Sequence, residues 1–158
     1  MILQYAERLG VLLKARHETV ATAESCTGGG IAAAMTEVPG SSEWLMGGFV
    51  TYSNQWKMRM LGVSKETLDK YGAVSQQTVT EMLDGLLKAG ETDYGIAVSG
   101  IAGPGGGTPD KPVGTVYVGI AGKDWKQVLR CNFDGDRRTV RNSTVLKALQ
   151  MLVRRLQQ

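Results

Sequence analysis

The chain has 158 residues, of which 42% are hydrophobic and 21% charged, and its formal net charge is +3. A globular chain of this length buries roughly two-thirds of the surface that its unfolded form exposes, so its core needs no disulfide or metal. No apolar run approaches the ~18 residues of a membrane span, and Glu7 and Arg8 interrupt the N-terminal apolar pattern, which is untypical of a signal peptide. We expect one domain over residues 1–158, located in the cytoplasm, with no membrane partner.

The cysteine, histidine and basic residues argue against several function classes. Cys26, Cys131 and the single histidine, His17, have neither the number nor the spacing of a disulfide framework or a zinc site. His17 lies where a helix is expected to end at the surface, which disfavours a Ser-His-Asp triad. The basic residues do not form a dense stripe interleaved with aromatic residues, as a nucleic-acid groove would. We therefore predict no metal and no nucleic-acid partner.

Helices and strands alternate in the first third of the chain. Apolar residues at three- and four-residue spacing predict a helix over residues 2–16, and the β-branched run 19–23 predicts a buried strand. An alanine-rich segment predicts a helix over 28–38, which Pro39 closes. A second strand is predicted over 44–53, where two glycines suggest a bulge or a close approach of another backbone.

The remainder continues the alternation and ends in a hairpin and a helix. Two short helices are predicted over 54–61 and 64–71, followed by a longer helix that Ser75 caps. The remaining segments are a third strand, two strands joined by a tight turn, and a last helix, over 94–100, 113–122, 125–133 and 136–156. This order predicts a three-layer α/β/α domain with a mixed five-stranded sheet.

Three chemically suggestive stretches directly follow predicted strands. They are "AESCTGG" at 23–29, "TYSNQWK" at 51–57 and "SGIAGPGGG" at 99–107. In open α/β sheets, ligands bind beyond the carboxyl ends of the strands. We therefore expect these stretches to meet at one site.

Ser25 is the first candidate nucleophile because it lies between a strand and a glycine-rich helix start. The backbone N–H groups of Cys26, Thr27, Gly28 and Gly29 would point to the same place and hold an oxyanion or a phosphate. The alternative is that Ser25 or Thr27 only caps the helix. The sequence leaves both interpretations open.

Without a suitable histidine, the base for Ser25 would be a lysine. Lys57 follows Tyr52 by five residues, and partial desolvation would favour its neutral form. Tyr52 would relay a proton or orient the amine. The alternatives are a solvated surface lysine and an edge-strand tyrosine.

Cys26 competes with Ser25 as nucleophile because a helix N-terminus lowers a thiol pKa, but no histidine assists it.

The glycine-rich loop and two arginines are candidates for binding the rest of the ligand. The loop has neither the Walker A pattern nor the dinucleotide fingerprint, so either it forms a phosphate nest or its glycines serve only its turns. Arg137 and Arg141 share a helix face and would contact a phosphate, remain solvated, or contact another subunit. The candidate loop positions are Gly100, Ala102, Gly103, Gly106 and Gly107.

Several motifs in one order resemble the CinA C-terminal domain family. They include "TAESCTGG" at 22–29, "GGFVTYSN" at 47–54, "SGIAGPGGG" at 99–107 and "KPVGTV" at 111–116. Stand-alone members of this family include nicotinamide-nucleotide amidases. The resemblance implies hydrolysis of the carboxamide of nicotinamide mononucleotide to nicotinate mononucleotide and ammonia, in pyridine-nucleotide salvage. It implies a small-molecule pyridine nucleotide as partner and no metal or organic cofactor.

The resemblance also implies catalytic roles and a topology. A serine-lysine arrangement assisted by a tyrosine would carry over to Ser25, Lys57 and Tyr52. The fold would be similar to anticodon-binding domains, with strand order 2-1-3-4-5 and strand 4 antiparallel. Gly30 and Trp56 depart from the family pattern and would reshape the substrate pocket. The alternative function is therefore a non-catalytic nucleotide-binding or assembly paralogue, and the sequence leaves room for a homo-oligomer.

Overall fold

A computed structural model describes all 158 residues of the chain. Five strands form one sheet: β1 Val20–Glu24, β2 Leu45–Val50, β3 Tyr94–Gly100, β4 Thr115–Gly122 and β5 Trp125–Asn132. Six α-helices and the 3₁₀ turn Ser41–Glu43 complete the fold. The helices are α1 Ile2–Arg16, α2 Gly30–Thr36, α3 Asn54–Leu61, α4 Lys65–Tyr71, α5 Gln76–Gly90 and α6 Arg137–Leu156. None of them is both long enough and apolar enough to cross a membrane.

The sheet is mixed and has the predicted order. Its strands run β2-β1-β3-β4-β5, with β1 parallel to both β2 and β3. β4 is antiparallel to β3 and to β5, which confirms the expected orientation of strand 4. The parallel strands β2, β1 and β3 therefore end at the same edge of the sheet.

Helices cover both faces of the sheet, which confirms the three-layer architecture. On one face, a core cluster joins α1, α2 and α6 through residues such as Leu9, Ile31 and Leu149. On the other face, a smaller cluster joins α3, α4 and α5 through residues such as Leu61 and Leu83. Ser53, Ser64, Ser75 and Asp136 each cap the following helix through their side chains, as short polar residues do at N-caps.

The segment between β1 and α2 differs from the prediction. The helix begins at Gly30 rather than at residue 28, because Gly28 and Gly29 have φ angles of 60° and 96°. These left-handed conformations suit glycine and cannot continue a right-handed helix. The segment instead turns, with the N–H of Gly28 donating to the carbonyl of Ser25 at 3.1 Å. Residues 25–29 thus form a loop, called the nucleophile loop below.

Candidate active site

Ser25 and Lys57 meet at the carboxyl edge of the sheet. Ser25 directly follows β1, and Lys57 lies in the first turns of α3, which follows β2. The Nζ atom of Lys57 is 3.0 Å from the Oγ atom of Ser25. Lys57 retains only 1% of its exposure, which is unusual for a lysine. The predicted pair of nucleophile and base is therefore within direct hydrogen-bonding distance.

Two backbone carbonyl groups fix the orientation of the Lys57 amine. Its Nζ donates to the carbonyl oxygens of Thr51 at 2.9 Å and of Tyr52 at 3.1 Å. A carbonyl oxygen only accepts hydrogen bonds, whereas a hydroxyl can donate or accept. A neutral amine satisfies both carbonyls with its two N–H bonds, so its lone pair is left for the Ser25 hydroxyl.

The same environment favours the neutral amine. Burial lowers the pKa of Lys57 from 10.5 to about 8, since removal from water penalises the ammonium form. No carboxylate forms an ion pair with Lys57 to oppose this effect. A sizeable fraction of Lys57 is therefore neutral near physiological pH.

The geometry favours Ser25 over Cys26 as nucleophile. Cys26 is buried, and desolvation raises the pKa of its thiol to about 11, which disfavours the thiolate. Lys57 bonds to the hydroxyl of Ser25, and no hydrogen bond joins Lys57 to the sulfur atom of Cys26. The expectation of a lowered thiol pKa at a helix N-terminus is wrong, because Cys26 lies before the helix and away from solvent.

The N-terminus of α2 is occupied by a carboxylate. Glu24 accepts the backbone N–H of Ile31 at 2.8 Å and that of Ala32 at 3.0 Å. Capping of this helix by Ser25 or Thr27, the alternative from sequence, is therefore wrong. The sequence-based interpretation overlooked Glu24 because a helix cap normally comes from the residue adjacent to the helix.

Of the four backbone N–H groups predicted to bind an oxyanion, one already donates a hydrogen bond and three do not. The N–H of Gly28 is committed to the Ser25 carbonyl, so its predicted role as donor is wrong. The N–H groups of Cys26, Thr27 and Gly29 donate to no backbone acceptor. These are unpaired donors of the kind that stabilise a developing oxyanion.

A cavity of about 240 Å³ opens beside the Ser25–Lys57 pair. Of the residues predicted for the site, those lining it are Ser25, Cys26, Tyr52, Lys57, Gly100, Ala102 and Arg137. The structure thus brings together the ends of β1, β2 and β3, as the carboxyl-end rule predicted. Thr27, Gly28, Gly29, Gly103, Gly106, Gly107 and Arg141 do not line the cavity.

The two arginines of α6 have different partners. Arg137 lines the cavity and donates to the carbonyl of Gly103 at 2.8 Å. Arg141 instead donates to the carbonyls of Cys26 and Thr27, both at 3.1 Å. Arg141 does not line the cavity, and its guanidinium holds the nucleophile loop.

Tyr52 contributes its backbone and its side chain to different parts of the site. Its carbonyl orients Lys57, whereas its hydroxyl lies 3.3 Å from a guanidinium nitrogen of Arg137. The side chain is 62% exposed, and no hydrogen bond joins its hydroxyl to Ser25 or Lys57. The geometry thus links the Tyr52 hydroxyl to the arginine at the cavity mouth.

Four further lining residues were not singled out from the sequence. Asn54 and Ser99 lie within stretches that were expected to meet at the site, whereas Ala73 and Val74 lie outside them. Ser99 belongs to the end of β3, so the same rule that selected Gly100 would have found it. Ala73 and Val74 lie between α4 and α5, where no strand ends, and no local pattern connects them to the cavity.

The two departures from the family pattern lie outside the cavity. Gly30 packs near Val145, with which a Cβ atom at Gly30 would make a 3.2 Å contact. Trp56 is 47% exposed and does not line the cavity. The expectation that they reshape the pocket is therefore wrong.

The chain is similar to proteins that carry the CinA or PncC name. A family model described as the CinA C-terminal domain matches residues 3–156. The nicotinamide-nucleotide amidohydrolase PncC of Escherichia coli K12 is 50% identical over 152 residues, covering 96% of this chain and 92% of that protein. A CinA-like protein from Endomicrobium trichonymphae is 52% identical over 147 residues, which is 93% of this chain and 34% of that protein. The chain thus spans about a third of the length of this longer relative.

Solved structures share the whole fold. The competence/damage inducible protein CihA from Agrobacterium tumefaciens superposes with a TM-score of 0.96 at 43% identity, covering 99% of this chain and 96% of that one. The competence damage-inducible protein A from Klebsiella pneumoniae MGH 78578 gives 0.95 at 37% identity, covering 98% and 96%. The strand order and layers described above are therefore those of known proteins of this type.

Proposed function

The chain belongs to the CinA C-terminal domain family, and from this we propose that it hydrolyses the carboxamide of nicotinamide mononucleotide to nicotinate mononucleotide and ammonia. Half-identical relatives that span nearly the whole chain carry the name nicotinamide-nucleotide amidohydrolase, which supports this reaction. The observation that carries the proposal is the 3.0 Å contact between Lys57 Nζ and Ser25 Oγ, made by a buried lysine.

The first step is attack of Ser25 on the amide carbon. The lone pair of neutral Lys57 accepts the hydroxyl proton as the Oγ–C bond forms. The resulting ammonium has three N–H bonds for three acceptors, namely Ser25 Oγ and the carbonyls of Thr51 and Tyr52. The contacts that orient the neutral base therefore also stabilise the charged form that the transition state creates.

The negative charge of the tetrahedral intermediate develops on the former amide oxygen. The unpaired N–H groups of Cys26 and Thr27 are the nearest backbone donors in sequence to the nucleophile. Loss of a single oxyanion donor typically lowers kcat by roughly 10²–10³-fold. Of these two residues only Cys26 lines the cavity, so we assign its N–H group to the oxyanion.

Collapse of the intermediate expels the leaving group. The Lys57 ammonium gives its proton to the amide nitrogen as the C–N bond breaks, which releases ammonia and an acyl ester on Ser25. Lys57, neutral again, then accepts a proton from water as the water oxygen attacks the ester carbon. The proton returns to Ser25 Oγ, and the carboxylate product leaves.

The far end of the substrate carries a phosphate. Arg137 supplies a positive charge among the cavity-lining residues, and we assign it to the phosphate. Tyr52 assists by orientation, since its carbonyl bonds to Lys57 and its hydroxyl to Arg137. A proton relay through Tyr52, the other alternative from the sequence, has no part in this mechanism.

The direct test is release of ammonia from nicotinamide mononucleotide by the wild type, Ser25→Ala and Cys26→Ala. We expect Ser25→Ala to lose activity and Cys26→Ala, a neighbouring substitution at another cavity-lining position, to keep it. The reverse pattern would keep the reaction and refute the serine mechanism. A folded wild type that binds the nucleotide without releasing ammonia would instead indicate the non-catalytic binding domain.

A further inference from the structure

Glu24, the residue before the candidate nucleophile, is a fully buried carboxylate. Its Oε1 accepts the hydroxyl of Thr27 at 2.6 Å and the N–H of Ile31 at 2.8 Å. Its Oε2 accepts the hydroxyl of Thr22 at 3.1 Å and the N–H of Ala32 at 3.0 Å. Four donors on two oxygens match an ionised carboxylate, which accepts hydrogen bonds and donates none.

These four donors come from three different elements. Ile31 and Ala32 belong to α2, Thr22 belongs to β1, and Thr27 belongs to the nucleophile loop. Of the four bonds, the one from Thr27 is the shortest and the one that reaches the loop. Glu24 thus attaches the loop to the strand before it and to the helix after it.

Arg141 holds the same loop at its carbonyl groups. The guanidinium donates to the carbonyls of Cys26 and Thr27. In a planar trans peptide, the N–H points opposite to the C=O of the same peptide unit. With the Cys26 carbonyl held toward Arg141, the N–H of Thr27 must point away from Arg141. The carboxylate, at the Thr27 side chain, and the guanidinium, at two carbonyls, therefore hold the same short segment and leave the Cys26–Thr27 peptide little freedom to rotate.

We propose that Glu24 is a positioning residue that, through Thr27, fixes the loop segment from which the Cys26 N–H group reaches the oxyanion. This inference rests on the proposed function, because it assigns a purpose to the donor that the mechanism uses. A carboxylate that only capped α2 would need its bonds to Ile31 and Ala32, and the Thr27 hydroxyl would then only help to stabilise the buried charge, as the Thr22 hydroxyl does. The bond to Thr27 is therefore the one to test.

The chain provides a matched pair of substitutions. Thr27→Val and Thr22→Val each remove one hydroxyl that donates to the same carboxylate, at buried positions where valine has nearly the same shape. We expect Thr27→Val to lower kcat roughly tenfold, a part of the 10²–10³ lost with an outright oxyanion donor, and to leave KM within about twofold. Thr22→Val should lose similar thermal stability and keep kcat within about twofold of the wild type, since it does not touch the loop.

A second readout does not depend on the natural substrate. In the reaction with a fluorophosphonate probe, the serine oxygen bonds to phosphorus, fluoride leaves and the base takes the serine proton. Measurement of the intact mass of the protein over time gives the labelling rate. We expect Thr27→Val to slow labelling of Ser25 and Thr22→Val to leave it unchanged. Equal effects of the two variants on kcat and on labelling would overturn the proposal and indicate a purely structural carboxylate.

The outcomes separate this inference from the proposed function. A wild type that reacts with the probe but releases no ammonia would refute the substrate and leave the positioning role to be decided by the labelling rates. A folded wild type that does neither would count against both proposals. Glu24→Gln adds an independent check. The NH2 group of the new amide would face the N–H of Ile31 or Ala32, donor against donor, and disturb the carboxylate's hold on the loop. We therefore expect kcat to fall with KM nearly unchanged.

Discussion

The amine of Lys57 is surrounded by groups that accept hydrogen bonds and by no countercharge. Protonation therefore costs desolvation energy, and burial brings the pKa down to about 8. Below this value the ammonium keeps its three contacts but has no lone pair for the Ser25 proton. The folded pKa lies below the ordinary value of 10.5, so the unfolded chain binds this proton more tightly between about 8 and 10.5. The free energy of unfolding therefore rises with pH across that window, because the cost of burying a charged Lys57 is removed as the amine loses its proton.

The first prediction is a pH dependence of the reaction. The value of kcat/KM should rise with pH through an apparent pKa near 8, because the active form is the neutral amine. Lys57→Met should lower kcat/KM by roughly 10²–10⁴-fold, the usual contribution of a general base, and abolish this rise. Steady-state ammonia release between pH 6 and pH 10, with folding of the variant checked by circular dichroism, measures both.

Cys26→Ala is the control for this profile. Burial raises the pKa of the Cys26 thiol to about 11, so its ionisation lies above the predicted rise. The alanine variant should keep the same midpoint. A rise that disappears in Cys26→Ala, or persists in Lys57→Met, would show that a different group titrates.

At the scale of elements, Lys57 depends on how closely α3 packs against α5. A Cβ atom placed on Gly85 of α5 would lie 1.8 Å from the carbonyl oxygen of Leu61, the last residue of α3. No real contact is that short, so any side chain at this position must push the helices apart. Leu61 is one helical turn beyond Lys57, and a displaced α3 would move the amine away from Ser25.

The second prediction follows from this contact. Gly85→Ala should lower the free energy of unfolding by about 1–3 kcal/mol, as overpacking does, and reduce kcat well beyond its effect on KM. Urea unfolding and ammonia release measure these effects. The control is Gly90→Ala in the same helix, where the nearest contact of a Cβ atom would be an ordinary 3.6 Å. If both variants behave alike, α5 does not position Lys57.

The elements with strong local patterns were the ones predicted well from sequence. The helix over 2–16, the helix over 54–61 and the strand over 94–100 have the predicted bounds, because apolar spacing and a serine cap define them locally. The nucleophile loop was predicted poorly. Glu24 caps α2 from six residues before the helix, and the positive φ angles of Gly28 and Gly29 delay its start. Neither feature leaves a local pattern that a single sequence reveals.

At the scale of the whole molecule, the cavity receives residues from both helical layers. Lys57 arrives on α3 from one face of the sheet, and Arg137 arrives on α6 from the other. The rule that ligands bind at the carboxyl ends of strands was enough to bring Ser25 and Lys57 together from sequence. It could not separate Arg137 from Arg141, which share a helix face, since only the packing of α6 decides which guanidinium lines the cavity and which holds the nucleophile loop.

The last prediction tests whether the cavity binds the nucleotide with residues from both helical layers, by measuring how much the ligand raises Tm. Ser25→Ala should bind nicotinamide mononucleotide without turning it over, and ligand at about 100 times its Kd stabilises a fold by about 2.7 kcal/mol. At about 2–4 °C per kcal/mol for a chain of this size, Tm should rise by roughly 5–11 °C.

If Arg137 binds the phosphate, adding Arg137→Ala to the Ser25→Ala chain should remove most of the shift. The riboside, which lacks the phosphate, should shift the Ser25→Ala chain far less than the nucleotide does. Equal shifts for riboside and nucleotide would show that the phosphate is not bound, and the cavity would then have to recognise the nicotinamide ring and ribose alone.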